Sequence, residues 1–337
     1  MRRVFRVLLV IFSLSVVVPI GSACAIGADY DGNGFAEIPV ISATTSGGLV
    51  WNLFDPASGQ TSVFTSNLGK LGDSLILANW LYANVTSAGA LSRPTSGSGG
   101  RLVWTIRTAV VKNGAARIQQ HQKFLGRRGE IIITGGDFNG DGFGDALVLT
   151  NRGGGSYTWG LRANFFLSSY NSGLNQDRAY FPFGRLGTDK PFFFNPDGRS
   201  DWFAILSCPG RSECQVIAKQ PFTQATKTIP VGVIADPNRV PVPVAQDDRR
   251  DLLAFISESG DQTRIEVKNL KGATIHSFTV PMRGTVTVGN YGPGPGEELS
   301  ISRDGRFAII NPITGRRSIL TGPDGIAADS ININSVH

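Results

Sequence analysis

Two short loops of the sequence carry oxygen-bearing side chains at alternate positions. Each is nine residues long, DYDGNGFAE at 29–37 and DFNGDGFGD at 137–145. Calcium is a hard cation that takes about six to eight oxygen ligands, including backbone carbonyls. The loops therefore predict two calcium sites. Their expected ligands are Asp29, Asp31, Asn33, the carbonyl of Phe35 and Glu37 in the first loop, and Asp137, Asn139, Asp141, the carbonyl of Phe143 and Asp145 in the second.

The calcium loop of an EF-hand begins in the same way and is the first alternative. An EF-hand loop places an acidic ligand at position twelve and continues into a helix. Here position twelve is Val40 in one loop and Val148 in the other, each within a β-rich segment. The helix–loop–helix interpretation therefore fails.

The elements that must position these loops are short β-strands in a repeated cycle. Around the second loop, apolar segments predict strands at 131–134, 146–150 and 157–161. With the acidic residue that closes each loop as an anchor, the cycle recurs at spacings of 50, 58, 56, 50 and 47 residues. The anchors are Glu37, a degenerate copy near Ser87, Asp145, Asp201, Asp251 and Glu298.

A repeat of this length with four short strands per unit is typical of propeller blades. We therefore predict an all-β fold, a six-bladed β-propeller of four-stranded antiparallel blades, with seven blades as the alternative. Trp51, Trp104 and Trp159 hold equivalent strand positions. We expect these rings to pack between blades rather than to form a platform for sugars, because large aromatic side chains are usually buried.

The DxDGNGxxE and DxNGDGxxD loops, each entering a short strand, resemble FG-GAP/VCBS repeats of the integrin α-subunit propeller type. As a repeat pattern the resemblance covers essentially the whole mature chain, although only two of the six loops match the motif well. It implies structural calcium in the loops and a role in adhesion or in recognition of protein or glycan.

The remaining loops keep only part of the ligand set. The segment 193–201 retains Asn195, Asp197 and Asp201 but has Phe193 at the first ligand position, which predicts a weak third calcium site. The segments 243–251 and 290–298 have lost more of the oxygen-bearing side chains, and we expect no metal there.

The N-terminus has the features of an export signal. Three arginines precede an apolar run at 7–18, and Ala23-Cys24-Ala25 offers a cleavage site. The run is shorter than the roughly 20 residues of a membrane-spanning helix. We expect a signal peptide at 1–25, cleavage near Ala25, and a single propeller domain at 26–337 that is secreted, periplasmic or at the cell surface. Lipidation at Cys24 is the alternative, although Gly21 stands where such sites usually carry an aliphatic residue.

Cleavage after Ala25 leaves Cys208 and Cys214, across a Pro-Gly turn, in an oxidising compartment. A disulfide between them is predicted. Cleavage also lowers the formal net charge from +6 to +3, with 29 basic against 26 acidic residues. The basic residues are scattered, which argues against a nucleic-acid partner.

For catalysis the sequence offers little. The three histidines, His121, His276 and His337, lie in no recognisable motif, and no nucleophile elbow, metalloprotease or phosphate-loop motif occurs. Two function classes remain: a monomeric recognition, adhesion or scaffold module for an extracellular protein or glycan, and a carbohydrate-active lyase or hydrolase with a site in the central funnel. The first is favoured, because a fold alone specifies no chemistry.

Blade one lacks a leading strand, since its loop begins only three residues after the expected cleavage site. The C-terminal segment 329–337, DSININSVH, alternates apolar and polar residues and resembles the strand at 73–79. We predict that it closes the ring, with 331–334 paired to the strand that starts near Ile38. An open sheet edge would be covered in this way.

Overall fold

The computed structural model describes residues 16–17, 29–30, 35–82, 85–92, 100–112, 115–127, 130–151, 154–163, 165–166, 178–209, 213–246, 250–292, 296–322, 326–327 and 332–335. These residues form six antiparallel sheets, and each sheet contains one four-stranded blade. In five blades the four strands follow one another along the chain. In blade one, the first strand comes from near the C-terminal end of the chain. The six-bladed β-propeller predicted from the repeat is confirmed. None of the described segments forms a helix with the length and apolar character that a membrane span needs.

The strands have the following bounds. Blade one contains β2 (Ile38–Ala43), β3 (Gly48–Asp55) and β4 (Gln60–Lys70), and blade two contains β5 (Ser74–Tyr82), β6 (Val85–Ser92), β7 (Arg101–Lys112) and β8 (Ala115–Arg127). Blade three contains β9 (Ile131–Thr134), β10 (Ala146–Asn151), β11 (Ser156–Arg162) and β12 (Arg178–Arg185), and blade four contains β13 (Lys190–Phe194), β14 (Trp202–Ser207), β15 (Cys214–Lys219) and β16 (Thr226–Gly232). Blade five contains β17 (Val242–Ala245), β18 (Asp251–Ser259), β19 (Gln262–Lys268) and β20 (Thr274–Val280), and blade six contains β21 (Thr285–Gly289), β22 (Glu298–Arg303), β23 (Arg306–Ile310) and β24 (Arg317–Thr321). Three short strands complete the set: β1 (Val16–Val17), β25 (Ile326–Ala327) and β26 (Asn332–Ser335).

Burial along the strands follows their place in a blade. The first two strands are buried in long runs, as in β17 and the start of β18, because neighbouring blades cover both faces near the axis. The third strand alternates between buried and half-buried residues, as in β15. The fourth strand, such as β16, is mostly exposed at the rim. This gradient explains why the inner strands read as continuous apolar segments and the outer ones do not.

Aromatic side chains fill the spaces between blades. Trp159 is fully buried and stacks on Phe203 of blade four, with ring centroids 4.7 Å apart. Trp104, also fully buried, lies edge-on to Phe165 of blade three at 5.3 Å. The expectation that these tryptophans pack between blades is confirmed. Such contacts add to the burial of a large apolar area.

The C-terminus closes the ring, but with other residues than the sequence suggested. β25 pairs with β2, placing Ala327 opposite Val40 and Ile326 opposite Ile41. The predicted pairing of 331–334 with the strand near Ile38 is wrong, since β26 pairs with β9 of blade three, and β1 pairs in turn with β26. β25 begins only a few residues after the end of β24. It therefore covers the open edge of β2, and the later segment 329–337 does not.

Candidate functional site

A ring of backbone hydrogen bonds joins the six blades at the loops that carry the predicted ligands. In each bond, a carbonyl in or near the end of the first strand of a blade, or in the loop that precedes its second strand, accepts an N–H of the next blade. The donor lies within two residues of the start of the second strand of that blade. The donor–acceptor pairs are Thr86–Asp29 (2.7 Å), Gly144–Asn79 (3.0 Å), Asp201–Asp137 (2.8 Å), Asp251–Asn195 (2.8 Å), Glu297–Ala245 (2.9 Å) and Ala36–Asn290 (2.8 Å). The loops are therefore part of every interface between blades.

Three buried carboxylates add a second bond across these interfaces. Oδ2 of Asp201 accepts the N–H of Asp137 at 2.6 Å, and Oδ2 of Asp251 accepts the N–H of Asn195 at 2.5 Å. The third is Oε2 of Glu297, which accepts the N–H of Ala245 at 2.9 Å. Each of these side chains belongs to the blade that follows its donor, so we call them the inter-blade carboxylates.

Three other buried carboxylates act within a single loop. Each accepts the N–H of the aromatic residue at the second loop position. The pairs are Glu37 with Tyr30 (2.7 Å), Asp145 with Phe138 (2.9 Å) and Glu298 with Tyr291 (2.8 Å). Blade six has both kinds of carboxylate, in the adjacent Glu297 and Glu298.

This pattern corrects the alignment of the degenerate loops. Asp201 and Asp251 occupy the inter-blade position, which Gly144 holds in blade three, and not the position of Asp145. Asn195, rather than Phe193, is the first residue of its loop, because its N–H and carbonyl make the bonds that Asp137 makes one blade earlier. Phe193 lies within β13, fully buried. Counted to this inter-blade position, the loop 195–201 is one residue shorter than 137–144.

In the loop 137–145, three of the predicted ligands lie in one turn. The carboxylate of Asp137 accepts N–H groups from Gly140 (2.7 Å), Asp141 (3.0 Å) and Gly142 (2.7 Å). Asn139 donates from Nδ2 to Oδ2 of Asp141 at 2.8 Å. Gly140 and Gly142 adopt φ of 77° and 88°, a region that favours glycine and lets the turn close tightly.

The oxygen set of this turn fits a calcium ion only in part. In the described part of the chain no three Asp, Glu, His or Cys side chains converge on one point, and Asp145 directs Oδ2 to Phe138. An ion would therefore be held by Asp137 and Asp141 with the amide oxygen of Asn139 and the carbonyl of Phe143. Burial, with the nearby Asp141, raises the pKa of the Asp137 carboxyl to about 6, although the N–H of Gly142 opposes the shift.

The other predicted sites differ in what the structure describes. In the first loop Asp29 and Glu37 are buried and Phe35 is half-buried, while Asp31 and Asn33 lie outside the described residues. In the weak third site, Oδ1 of Asn195 accepts the N–H of Gly198 at 2.7 Å and Oδ1 of Asp197 accepts that of Arg199 at 3.0 Å. Those two side chains therefore accept hydrogen bonds within their own loop, whereas the side chain of Asp201 accepts the N–H of Asp137 in blade three.

The predicted disulfide between Cys208 and Cys214 is confirmed. It joins the end of β14 to the start of β15 in blade four, where Cys214 is buried. The bond closes a short hairpin, so it supports one blade rather than the ring.

A motif shared by blades one to three was not predicted from the sequence. In each, a tryptophan Nε1–H donates to a carbonyl on the fourth strand, and a basic residue two positions after that carbonyl donates its N–H to an acidic side chain. The tryptophan bonds are Trp51–Leu68 (2.9 Å), Trp104–Leu125 (2.8 Å) and Trp159–Phe183 (2.7 Å). The bonds from a basic residue to an acidic side chain are Lys70–Asp73 (2.8 Å), Arg127–Glu130 (2.7 Å) and Arg185–Asp189 (2.7 Å). The signal is visible in LGKLGD, LGRRGE and FGRLGTD.

A groove lies between blades two and three, lined by residues of β7 and β8 on one side and of β10, β11 and β12 on the other. It encloses about 330 Å³. Arg162, Thr150 and Tyr180 line it from blade three, and Arg101 and Arg127 line it from blade two. None of these residues is a predicted site residue, because only the packing of two blades brings them together.

Comparison with known proteins supports the fold and no finer assignment. No family model and no curated protein matches the sequence. Among solved structures, TolB from Acinetobacter baumannii is similar with a TM-score of 0.51 and 11% identity, over 88% of this chain. This chain spans 65% of the length of that TolB chain. AztD from Citrobacter koseri has a TM-score of 0.42 and 11% identity, over 86% of this chain and 96% of the other.

Proposed function

We propose that this propeller is an exported recognition module of the FG-GAP/VCBS type, which binds an extracellular protein or glycan and uses loop calcium for structure. The observation that carries the proposal is the engagement of the loop carboxylates. Asp145 and Asp201, for example, are fully buried, and each accepts a backbone N–H that fastens a loop or an interface. Groups used in this way hold loops and blades together, which supports a structural role for the loops.

Calcium belongs in this proposal as a structural ion. In the loop 137–145 it would be held by Asp137, Asn139, Asp141 and the carbonyl of Phe143. When bound, the ion would neutralise the two carboxylates and hold the turn closed. The carbonyl and the N–H of Asp137 already bond to Asp201 of the next blade. A closed turn would therefore also support the interface between blades three and four.

Export is supported by the disulfide and by the N-terminal pattern. Disulfides persist in oxidising compartments and are rare in the cytosol. The bond between Cys208 and Cys214 fits that setting. The proposed signal peptide at 1–25 has the basic start and short apolar run of an export signal.

The test is to probe residues 26–337 against glycan and protein arrays, with calcium and with chelator. We expect selective retention of one ligand class that weakens in chelator, because a loosened ring presents a less ordered surface. Recovery of cleaved glycan products would favour the alternative of a carbohydrate-active enzyme. Failure to retain any ligand would contradict the recognition function.

A further inference from the structure

We propose that the groove between blades two and three binds an acidic sugar residue, with the sugar carboxylate on Arg162 and Thr150 and the ring against Tyr180. The proposal names the ligand class of the recognition function given above, and rests on that function.

Two buried polar atoms on blade three have no hydrogen-bond partner among the described residues. They are Nη1 of Arg162 and Oγ1 of Thr150, and both residues line the groove. Leaving a buried donor unsatisfied costs about 1–3 kcal/mol, and more for a charged group. A guanidinium matches the two oxygens of a carboxylate in a bidentate pair. A ligand carboxylate would satisfy Arg162 and could accept a bond from Thr150.

The equivalent positions in blades one and two show that an open groove is not a general feature of this repeat. Three positions after the tryptophan that the first three blades share stand Phe54, Arg107 and Arg162. Phe54 stacks on Phe307 of blade six, with centroids 4.6 Å apart. Arg107 donates from Nη1 to Oγ1 of Thr65 and to the carbonyl of Ser66 in blade one, both at 2.7 Å. Of these three side chains, Arg162 is the one with a buried nitrogen that has no hydrogen-bond partner among the described residues.

Aromatic rings form the walls of the groove. Tyr180 is 52% exposed, and its ring lies 5.1 Å from the guanidinium carbon of Arg162. Gly160 permits this placement, since a Cβ there would come within 3.0 Å of Cε1 of Tyr180. On the opposite wall Phe124 is 48% exposed. Exposed rings beside a few fixed polar groups are typical of small-molecule sites, and the cavity is within the usual range of about 300–1,000 Å³.

The charge of the groove favours an anion. Arg101 and Arg127 line it in addition to Arg162, against one carboxylate, Glu130. Oε2 of Glu130 accepts the N–H of Arg127 at 2.7 Å, so that carboxylate is directed to the turn. An excess of like charge at the walls of a cleft raises the local concentration of the opposite charge. The ligand is therefore expected to be acidic as well as ring-shaped.

Calorimetric titration of residues 26–337 with galacturonate and glucuronate oligosaccharides tests the proposal. Their methyl esters serve as neutral counterparts, and glucose 6-phosphate and inorganic phosphate serve as alternative anions. We expect binding of at least one of the two acids, and at least tenfold weaker binding of its ester and of inorganic phosphate. Equal binding of acid and ester, equal binding of inorganic phosphate, or no binding of either acid at millimolar concentration would overturn the proposal. Tighter binding of glucose 6-phosphate would show that the groove takes phosphate and would also overturn it.

Variants separate the groove from the fold. Arg162→Gln should weaken binding of the acidic sugar at least tenfold. Gly160→Ala should also weaken that binding, because the added Cβ would displace the Tyr180 ring. Arg107→Gln, at the equivalent position of blade two, should bind as the wild type does. If Arg162→Gln and Gly160→Ala both bind normally, the ligand lies elsewhere. An array ligand whose retention is unaffected by Arg162→Gln would leave the recognition function standing and remove only this proposal.

Discussion

The backbone N–H of Asp137 in blade three donates to Oδ2 of Asp201 in blade four, while the N–H of Asp201 donates to the carbonyl of Asp137. This reciprocal pair joins the two blades at a buried point. The same arrangement links Asn195 with Asp251 and Ala245 with Glu297. At the three interfaces from blade three to blade six, the inter-blade position therefore holds a carboxylate. At the other three interfaces that position holds Ala36, Thr86 or Gly144.

Removing an inter-blade carboxylate should destabilise the ring. Asp201→Ala leaves the N–H of Asp137 buried without its acceptor, which should lower the free energy of unfolding by about 1–3 kcal/mol. Asp201→Asn keeps an acceptor oxygen and should lose clearly less. Denaturant unfolding measures both, with Asp261→Ala, at a highly exposed carboxylate, as the control. Equal losses for Asp201→Ala and Asp261→Ala would show that the bond is not important for stability.

The strands and the repeat could be predicted because their signals are local. In blade three the predicted strands at 131–134, 146–150 and 157–161 match β9, β10 and β11 to within one residue at each end. The spacing of the loop anchors, five of them acidic and one near Ser87, was enough to count the blades.

The exact roles of loop residues could not be predicted, because they depend on the neighbouring blade. Asp145 and Asp201 both stand directly before a second strand, yet one bonds within its loop and the other across the interface. The groove at Arg162 was missed for the same reason. Its equivalent, Arg107, has the same sequence context but finds partners in blade one. The function of β25 was missed because a pairing of two residues leaves no pattern to detect.

The closing strand gives a test by truncation. Deleting 326–337 removes β25 and exposes the edge of β2, whereas deleting 332–337 removes only β26. The longer deletion should lower the melting temperature more, because an open inner edge leaves backbone groups unpaired. Both truncated proteins can be compared by circular dichroism. An equal effect of the two deletions would show that β25 does not close the ring.

The buried carboxylates should make the protein less stable as the pH rises. Burial raises the pKa of Glu297 to about 8, with Glu298 adding to the shift and the N–H of Ala245 opposing it. The unfolded chain loses this proton near the ordinary value of 4.5, so between that pH and about 8 the native state holds a proton that the unfolded state has released. The free energy of unfolding should therefore fall across this range. Burial also raises the pKa of Asp251, which faces Glu297, and contributes in the same direction.

Glu297→Gln isolates this contribution. The amide can still accept the N–H of Ala245 but does not titrate, so the dependence on pH from 5 to 8 should become shallower. Asp261→Asn, at an exposed carboxylate, should leave the dependence unchanged. An unaltered slope for Glu297→Gln would assign the effect to other groups.

Thermal unfolding of residues 26–337 in calcium and in chelator tests most directly the claim that the loops are structural calcium sites. A ligand that binds only the native state at a hundred times its dissociation constant adds about 2.7 kcal/mol. We therefore predict a melting temperature several degrees higher in calcium. Asp141→Asn combined with Asp31→Asn should abolish most of the difference, whereas Asp261→Asn should preserve it. Identical melting curves in calcium and in chelator would contradict the account.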